Sequence, residues 1–187
     1  DGGLMAYITT DVFLNNPSNH PAREYLFDRA NFISLSVMPD NLMQDTGNTL
    51  APNHLLIVQK NTGKTGLSEE ESQLLETTAL TNEFGNYALN TYVNNHPEII
   101  IGSRTSAGKN QYGQASQVIW QEGDIHGIAS PLLLNISRDV QLRLDRDLFR
   151  RGQEMAIADP SLRPRQKFTY LPMPGSRQQE SSLQFSL

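Results

Sequence analysis

The stretch from Phe32 to Met38, FISLSVM, decides how the chain is read: Ile33, Leu35 and Val37 point one way while Ser34 and Ser36 point the other. That alternation is a β-strand. Working outward, His54 to Lys60 (HLLIVQK) and Leu4 to Thr9 (LMAYIT) are short, largely apolar runs and read as buried strands. Asn15 to His20 is rich in turn formers, and Pro21 suits the first turn of a helix, where its missing N–H leaves no bond unmade. Ala22, Leu26 and Ala30 fall on one face of that helix, with Arg29 toward the negative end of its dipole. Pro39 to Asn53 reads as a polar loop. The order strand, helix, strand, loop, strand predicts an α/β unit over residues 1–66.

Further along, Asn61 to Gly66 is a flexible turn. Ser68 and Glu71 make a capping box, acids crowd the first helical turn, and Leu74, Leu75 and Leu80 supply an apolar side. A second helix is expected over Tyr87 to Asn94, stopping before Pro97, so residues 67–97 read as a helical extension. Residues 98–158 form an accessory region of short apolar pieces broken by glycine, with up to two short strands. A helix follows there over Arg138 to Arg151, carrying Val140, Leu144 and Leu148. From Asp159 to the end, prolines, arginines and glutamines give the composition of a tail. The opening DGGLMAYITT passes straight into an apolar strand, which leads to the expectation of a domain cut from a longer polypeptide.

Composition narrows the function. The 187 residues carry a formal net charge of −5, so no global positive field draws the molecule to DNA, and nucleic-acid contacts would be local. The absence of cysteine excludes disulfides, thiolate-bound zinc and thiol catalysis, and is compatible with a cytoplasmic location. No apolar run approaches the ~20 residues of a membrane span, and the N-terminus lacks a secretory pattern.

Few short motifs survive inspection. Asn61 to Thr65 hints at a phosphate-binding loop, but Val58 and Gln59 stand where its leading glycine would be. His20, His54, His96 and His126 have no HxH or HExxH spacing, so no metal site is expected, and His96-Pro97-Glu98 reads as a helix terminator. Arg138, Arg143, Arg146, Arg150 and Arg151 are interleaved with Asp139, Asp145 and Asp147, the pattern of ion pairs along a helix. Arg163, Arg165 and Lys167, with Tyr170 and Arg177, make a weak basic cluster that is the candidate for DNA-phosphate contact. Trp120 in SQVIWQ reads as core or interface packing.

Three segments then bear on identity: GGLMAYITTDVF, AREYLFDRANFISLSVMPDNLM and TGNTLAPNHLLIVQK. Arg23, Tyr25 and Leu26 on the helix, Pro39 after the strand, the loop Thr46, Gly47, Asn48 and Thr49, and the ending Gln59-Lys60 recur in one order. From Gly2 to Lys60 the chain thereby resembles the post-catalytic half of N6-adenine DNA methyltransferases. Tyr92 to Gly102 (YVNNHPEIIIG), then Tyr112-Gly113 and Gly123-Asp124, are similar to the run that follows the methylase domain in large phage and mobile-element methylase–helicase polypeptides. Together the two cover about residues 2–127, and their order carries the specificity.

The resemblance implies a partial Rossmann-like methyltransferase sheet of three strands. Residues 4–9 would follow the catalytic loop, and 32–38 with 54–60 would close the sheet as an antiparallel pair, the reversed strand at its edge. It implies that Thr9, Thr10 and Asp11 border the cleft and that Thr46, Gly47, Asn48 and Thr49 lie near a flipped adenine; the plainer reading of both is turns, with Gly47 supplying a positive φ. A complete family member would use S-adenosylmethionine. This chain has neither the Gly-x-Gly turn for that cofactor nor the Pro-Pro pair of the catalytic loop, so no catalytic, cofactor-binding or metal residue is assigned and catalysis by the chain alone is not expected. The expected function is that of a fragment contributing the sheet edge and the target-base side of the cleft. Its partner would be the missing N-terminal half, or a second copy through self-association. The alternative is a non-enzymatic interaction module on a methylase-like scaffold.

Overall fold

The computed structural model describes residues 1–158, and all three expected strands are present. The chain runs β1 (Leu4–Thr10), the single turn α1 (Val12–Asn15), α2 (His20–Phe27), β2 (Ala30–Met38), the single turn α3 (Gln44–Gly47) and β3 (Asn53–Lys60). β3 lies between the other two and is antiparallel to both. β1 and β2 therefore point the same way, linked by the crossover through α2. The reversed strand was expected at the edge of the sheet; it sits in the middle. Burial explains this, because β3 carries Leu55 and Ile57 on one face and Leu56 and Val58 on the other, and a strand apolar on both faces belongs inside a sheet.

β2 has a bulge between Phe32 and Ser34, which lets Phe32 join Leu35 and Val37 on the core face. Phe27 from α2, Leu14 from α1 and Tyr7 from β1 pack against the same cluster.

After β3 come α4 (Glu69–Leu75), the hairpin β4 (Thr77–Asn82) and β5 (Gly85–Asn90), the single turn α5 (Thr91–Asn95), the hairpin β6 (Arg104–Lys109) and β7 (Ala115–Trp120), and finally α6 (Ala129–Arg143) and α7 (Arg146–Ala158). The molecule is α/β, with three small sheets whose ladders are all antiparallel. No helix among the described residues is long and apolar enough to cross a membrane.

The capping box forms as expected: Ser68 N donates to Glu71 Oε2 at 2.7 Å and Glu71 N to Ser68 Oγ at 3.2 Å. Glu71 does more than cap. Its Oε1 accepts from the Phe32 amide at 2.8 Å, plugging the outer edge of β2, and it pairs with Lys64. Lys64 also donates to the carbonyls of Phe27 (2.8 Å) and Ala30 (3.1 Å), so the Asn61–Thr65 turn is a structural clamp.

Elsewhere the helices differ from expectation. The first helix of the extension ends at Leu75, and Leu80 lies on β4. The helix expected over Tyr87 to Asn94 is a strand up to Asn90 and one helical turn beyond it. Gly85, at φ 128°, allows the tight return into β5, and Asn90 marks the change of structure. The Asn90 side chain accepts from the Tyr92 amide and donates to the carbonyls of Leu74 (2.8 Å) and Glu76 (3.1 Å). The arginine-bearing helix starts at Ala129 and breaks at Leu144–Asp145, because Gln59 claims the backbone there: its Nε2 donates to Asp145 O at 2.9 Å and its Oε1 accepts from Asp145 N at 3.1 Å.

Against β2, α6 is inverted relative to its leucines. Asn135 donates to Leu35 O and Ser36 Oγ, and Ser34 donates to Asp139 Oδ2 at 2.8 Å. Asp139 is 1% exposed and is neutralised by Arg143 (2.8 Å) and Arg138 (3.0 Å). Leu133, Leu134 and Leu142 face outward.

α2 buries Arg23 and Phe27, while Ala22 is exposed and Leu26 is half-buried. Arg23 is 1% exposed and donates to Leu75 O through Nε (3.1 Å) and Nη2 (2.7 Å), and through Nη1 to Phe13 O (3.0 Å) and Asn16 O (2.9 Å). It ties the end of α4 to the turn after β1. Arg23→Met strands the buried carbonyl of Leu75 and removes the partner of the part-buried carbonyls of Phe13 and Asn16, and is expected to cost roughly 3 kcal/mol. Urea denaturation measures this; a loss below ~1 kcal/mol would show that the carbonyls find other partners.

Candidate functional site

Because β1 and β2 run in one direction, their carboxyl ends lie together, and β3 enters from the same end. Asp11 follows β1, Asp40 follows β2 by way of Pro39, and His54 is the second residue of β3. All three line one cleft of about 500 Å³. Its opposite wall is made by the hairpins: Phe84, Gly85 and Asn86 at the β4–β5 tip, Asn110, Gly113 and Gln114 at the β6–β7 tip. In α/β sheets this end is where ligands bind.

Backbone hydrogen bonds fix the two acids. Asp11 N donates to Pro52 O at 3.1 Å, and Asp11 O accepts from Leu14 N and Asn15 N as α1 begins. Asp40 N donates to Ile119 O at 2.8 Å and Ala51 N donates to Asp40 O at 3.0 Å, so Asp40 is held between β7 and the loop before β3. The β6–β7 tip is shaped by Asn110 Oδ1, which accepts from the amides of Tyr112 (2.9 Å) and Gln114 (3.1 Å).

The electrostatics of the cleft are unusual. Burial, then the nearby charge of Asp11, pushes Asp40 up to about 7, against a lowering backbone hydrogen bond from Ile119. Burial also raises Asp11, opposed by hydrogen bonds from Asn15 and Val12. His54, 1% exposed, is pushed down to about 4 by burial and is neutral at pH 7. Asp40 Oδ1 and His54 Nδ1 are both buried without a hydrogen-bond partner. Among the described residues no lysine or arginine lines the cleft. Among the described residues no three His, Cys, Asp or Glu converge closely enough to hold a metal ion.

Of the expected cleft residues, Asp11 lines this site; Thr9 and Thr10 do not, and the Thr9 hydroxyl reaches only the Thr10 carbonyl. Thr46 and Gly47 lie in α3, and Gly47 is not part of the cleft wall. The positive φ expected at Gly47 belongs to Asn48 (47°), which ends that turn in the left-handed region. Thr49 is exposed and donates to Gly47 O at 3.1 Å. His96 Nδ1 lies 2.9 Å from Glu98 Oε1 beside the turn begun by Pro97, as a terminator would. Trp120 is half-buried at the end of β7. Arg163, Arg165 and Lys167 lie outside the described residues.

No motif joins Asp40 to His54, and His54 enters the sequence reading only as one of four histidines without metal-ligand spacing. A signal was there all the same: each is a lone ionisable residue at the end of an apolar strand. Comparison of the chain with protein-family models, curated proteins and solved structures finds no match.

The two buried groups oppose each other in pH. Asp40, raised in the native state, contributes stability that is present below its unfolded value of about 4 and is lost as pH rises through about 7. His54, lowered, contributes stability that is present above about 6.5 and is lost as pH falls through about 4. Relative to wild type, Asp40→Asn should therefore make stability rise with pH across this window, and His54→Gln should make it fall. Thermal melts at stepped pH read both slopes. Parallel curves for all three proteins would show that neither group titrates as described.

Proposed function

We propose that the chain is the trailing part of an N6-adenine DNA methyltransferase domain. It contributes the end of a Rossmann-like sheet and the target-base side of the cleft, and is not catalytic by itself. The observation that carries this is β1. It has β3 as its one strand neighbour among the described residues, yet it is apolar on both faces, with Leu4, Met5 and Ile8 left 45%, 48% and 50% exposed. A strand of that composition belongs inside a sheet. A further parallel strand on its free edge would continue a doubly wound sheet that finishes on β1, the reversed β3 and β2, and would lengthen the cleft at the carboxyl ends.

The cleft's chemistry supports a base as occupant better than a phosphate: amide side chains, Phe84 and Tyr87, and no cation on its wall among the described residues. S-adenosylmethionine and the Asn/Asp-Pro-Pro-aromatic loop would be supplied by strands outside residues 1–187, since this chain has no Gly-x-Gly and no Pro-Pro. DNA-phosphate contact by Arg163, Arg165 and Lys167 belongs to the same reading.

A second reading, an interaction module on this scaffold, is favoured by the outward leucines of α6: Leu133, Leu134 and Leu142 are 65%, 71% and 71% exposed. The two separate experimentally. Under the methyltransferase reading, residues 1–187 alone give no heat on titration with S-adenosylmethionine. Joined to the segment encoded in frame before Asp1, they bind the cofactor, methylate adenine in DNA and gain amide-exchange protection along β1. A preceding segment without Gly-x-Gly and Pro-Pro, or β1 amides that stay unprotected in the joined protein, overturns it.

A further inference from the structure

The cleft's own chemistry points to a ligand that the methyltransferase reading does not name. We propose that the cleft at the carboxyl ends of β1 and β2 binds a small organic cation, its protonated amine held between the carboxyls of Asp11 and Asp40 with an aromatic or aliphatic body against the hairpin wall. What the cleft offers is lopsided. Among the described residues it presents two carboxyls, a neutral imidazole and several amide carbonyls, and no lysine or arginine. An anion would enter a desolvated acid pair without a counter-ion, whereas a cation would neutralise it.

A second, independent observation is the orphaned His54. It lines the cleft at 1% exposure with Nδ1 unpartnered, and Asp40 Oδ1 is unpartnered beside the same space. Asp40 Oδ1 is a buried acceptor without a donor, and so is His54 Nδ1 in the tautomer protonated at Nε2; a ligand that arrives as a hydrogen-bond donor relieves the cost of leaving them unpaired. A metal ion is the other donor-free way to relieve it, but the side chains do not converge as metal ligands do.

The hairpin wall adds a surface for the ligand's body. Phe84 is 44% exposed at the β4–β5 tip and Tyr87 follows it on β5. The Phe84 ring already draws the Lys109 ammonium to 5.5 Å from its centre, just outside the wall. The volume, about 500 Å³, suits a small molecule.

Protons should move with the ligand. The ionisable side chains that line the cleft with Asp40 are Asp11 at the end of β1, whose charge acts on it, His54 on β3 and Tyr87 on β5; β7 contributes none, and Glu83 and Lys109 are not part of the wall. With Asp40 held near 7 in the free protein, a bound ammonium expels its proton. Affinity should therefore rise about tenfold from pH 6 to pH 8.

The test is a calorimetric titration of the full chain with phenethylammonium, with neutral 2-phenylethanol, anionic phenylacetate and adenine as comparisons. Phenethylammonium is expected to bind at least ~10-fold more tightly than phenylethanol, with phenylacetate not binding, and to tighten with pH as stated. Asp11→Asn and Asp40→Asn should each weaken it ~10-fold or more, while Asp124→Asn, away from the cleft, leaves it unchanged. Equal binding of the alcohol overturns the proposal without recourse to any variant. Binding that tightens as pH falls, or adenine binding better than the ammonium, also overturns it, because either marks a neutral base read by a protonated carboxyl. The adenine arm bears also on the target-base reading of this cleft, whereas the free edge of β1, the observation that carries the methyltransferase reading, is tested separately by amide exchange in the joined protein.

Discussion

The architecture depends on β3 being shared. Its backbone is hydrogen-bonded along both edges, to β1 on one side and β2 on the other, and its side chains are buried on both faces. An antiparallel strand between two others forces those two to run in the same direction, and everything functional follows from that alignment. The ends of β1 and β2 come together, Asp11 and Asp40 become neighbours, and the start of β3 delivers His54 to the same place. Had β3 paired along one edge only, the two acids need not have met.

Around this sheet, the interior is held by polar side chains as much as by apolar ones. Arg23, Glu71, Asn90, Gln59, Asn135 and Asp139 are all buried, and each binds backbone that no ladder satisfies or a partner that does. The arrangement suits a chain whose helices are short: a one-turn helix leaves most of its amides and carbonyls unpaired, and side chains from distant elements must meet them. It also explains why α6 keeps its leucines outward. The β2 face that it covers carries Ser34 and Ser36, which select Asn135 and Asp139 as partners.

The cleft is the exception to this economy of satisfied groups. Two buried polar atoms stay unpartnered there, and among the described residues two carboxyls share a space without a cation. Desolvation, then repulsion from Asp11, pushes Asp40 up to about 7. Strain of that kind, confined to the end of a sheet where ligands bind, is the physical mark by which the site stands apart from the rest of the surface.

Much of the local structure could be read directly from the residues. The three strands, the start of α2 at Pro21, the Ser68–Glu71 capping box and the turn at Asn61 depend on neighbours in sequence, and side-chain periodicity or capping chemistry suffices to see them. Asp11 was legible for the same reason, as a polar residue at the end of an apolar strand. What needed the tertiary structure was anything set by a partner far along the chain. Leu80 was expected on one helix and Tyr87 at the start of the next, yet the two pair directly across a hairpin beside the β6–β7 pair. Gln59 breaks a helix some 86 residues away, and the middle position of β3 is set by which of its faces can be covered. Asp40 and His54 belong to the same class. Their meeting is a consequence of strand order, and strand order is settled by the burial of whole faces, a quantity that no local stretch of sequence contains.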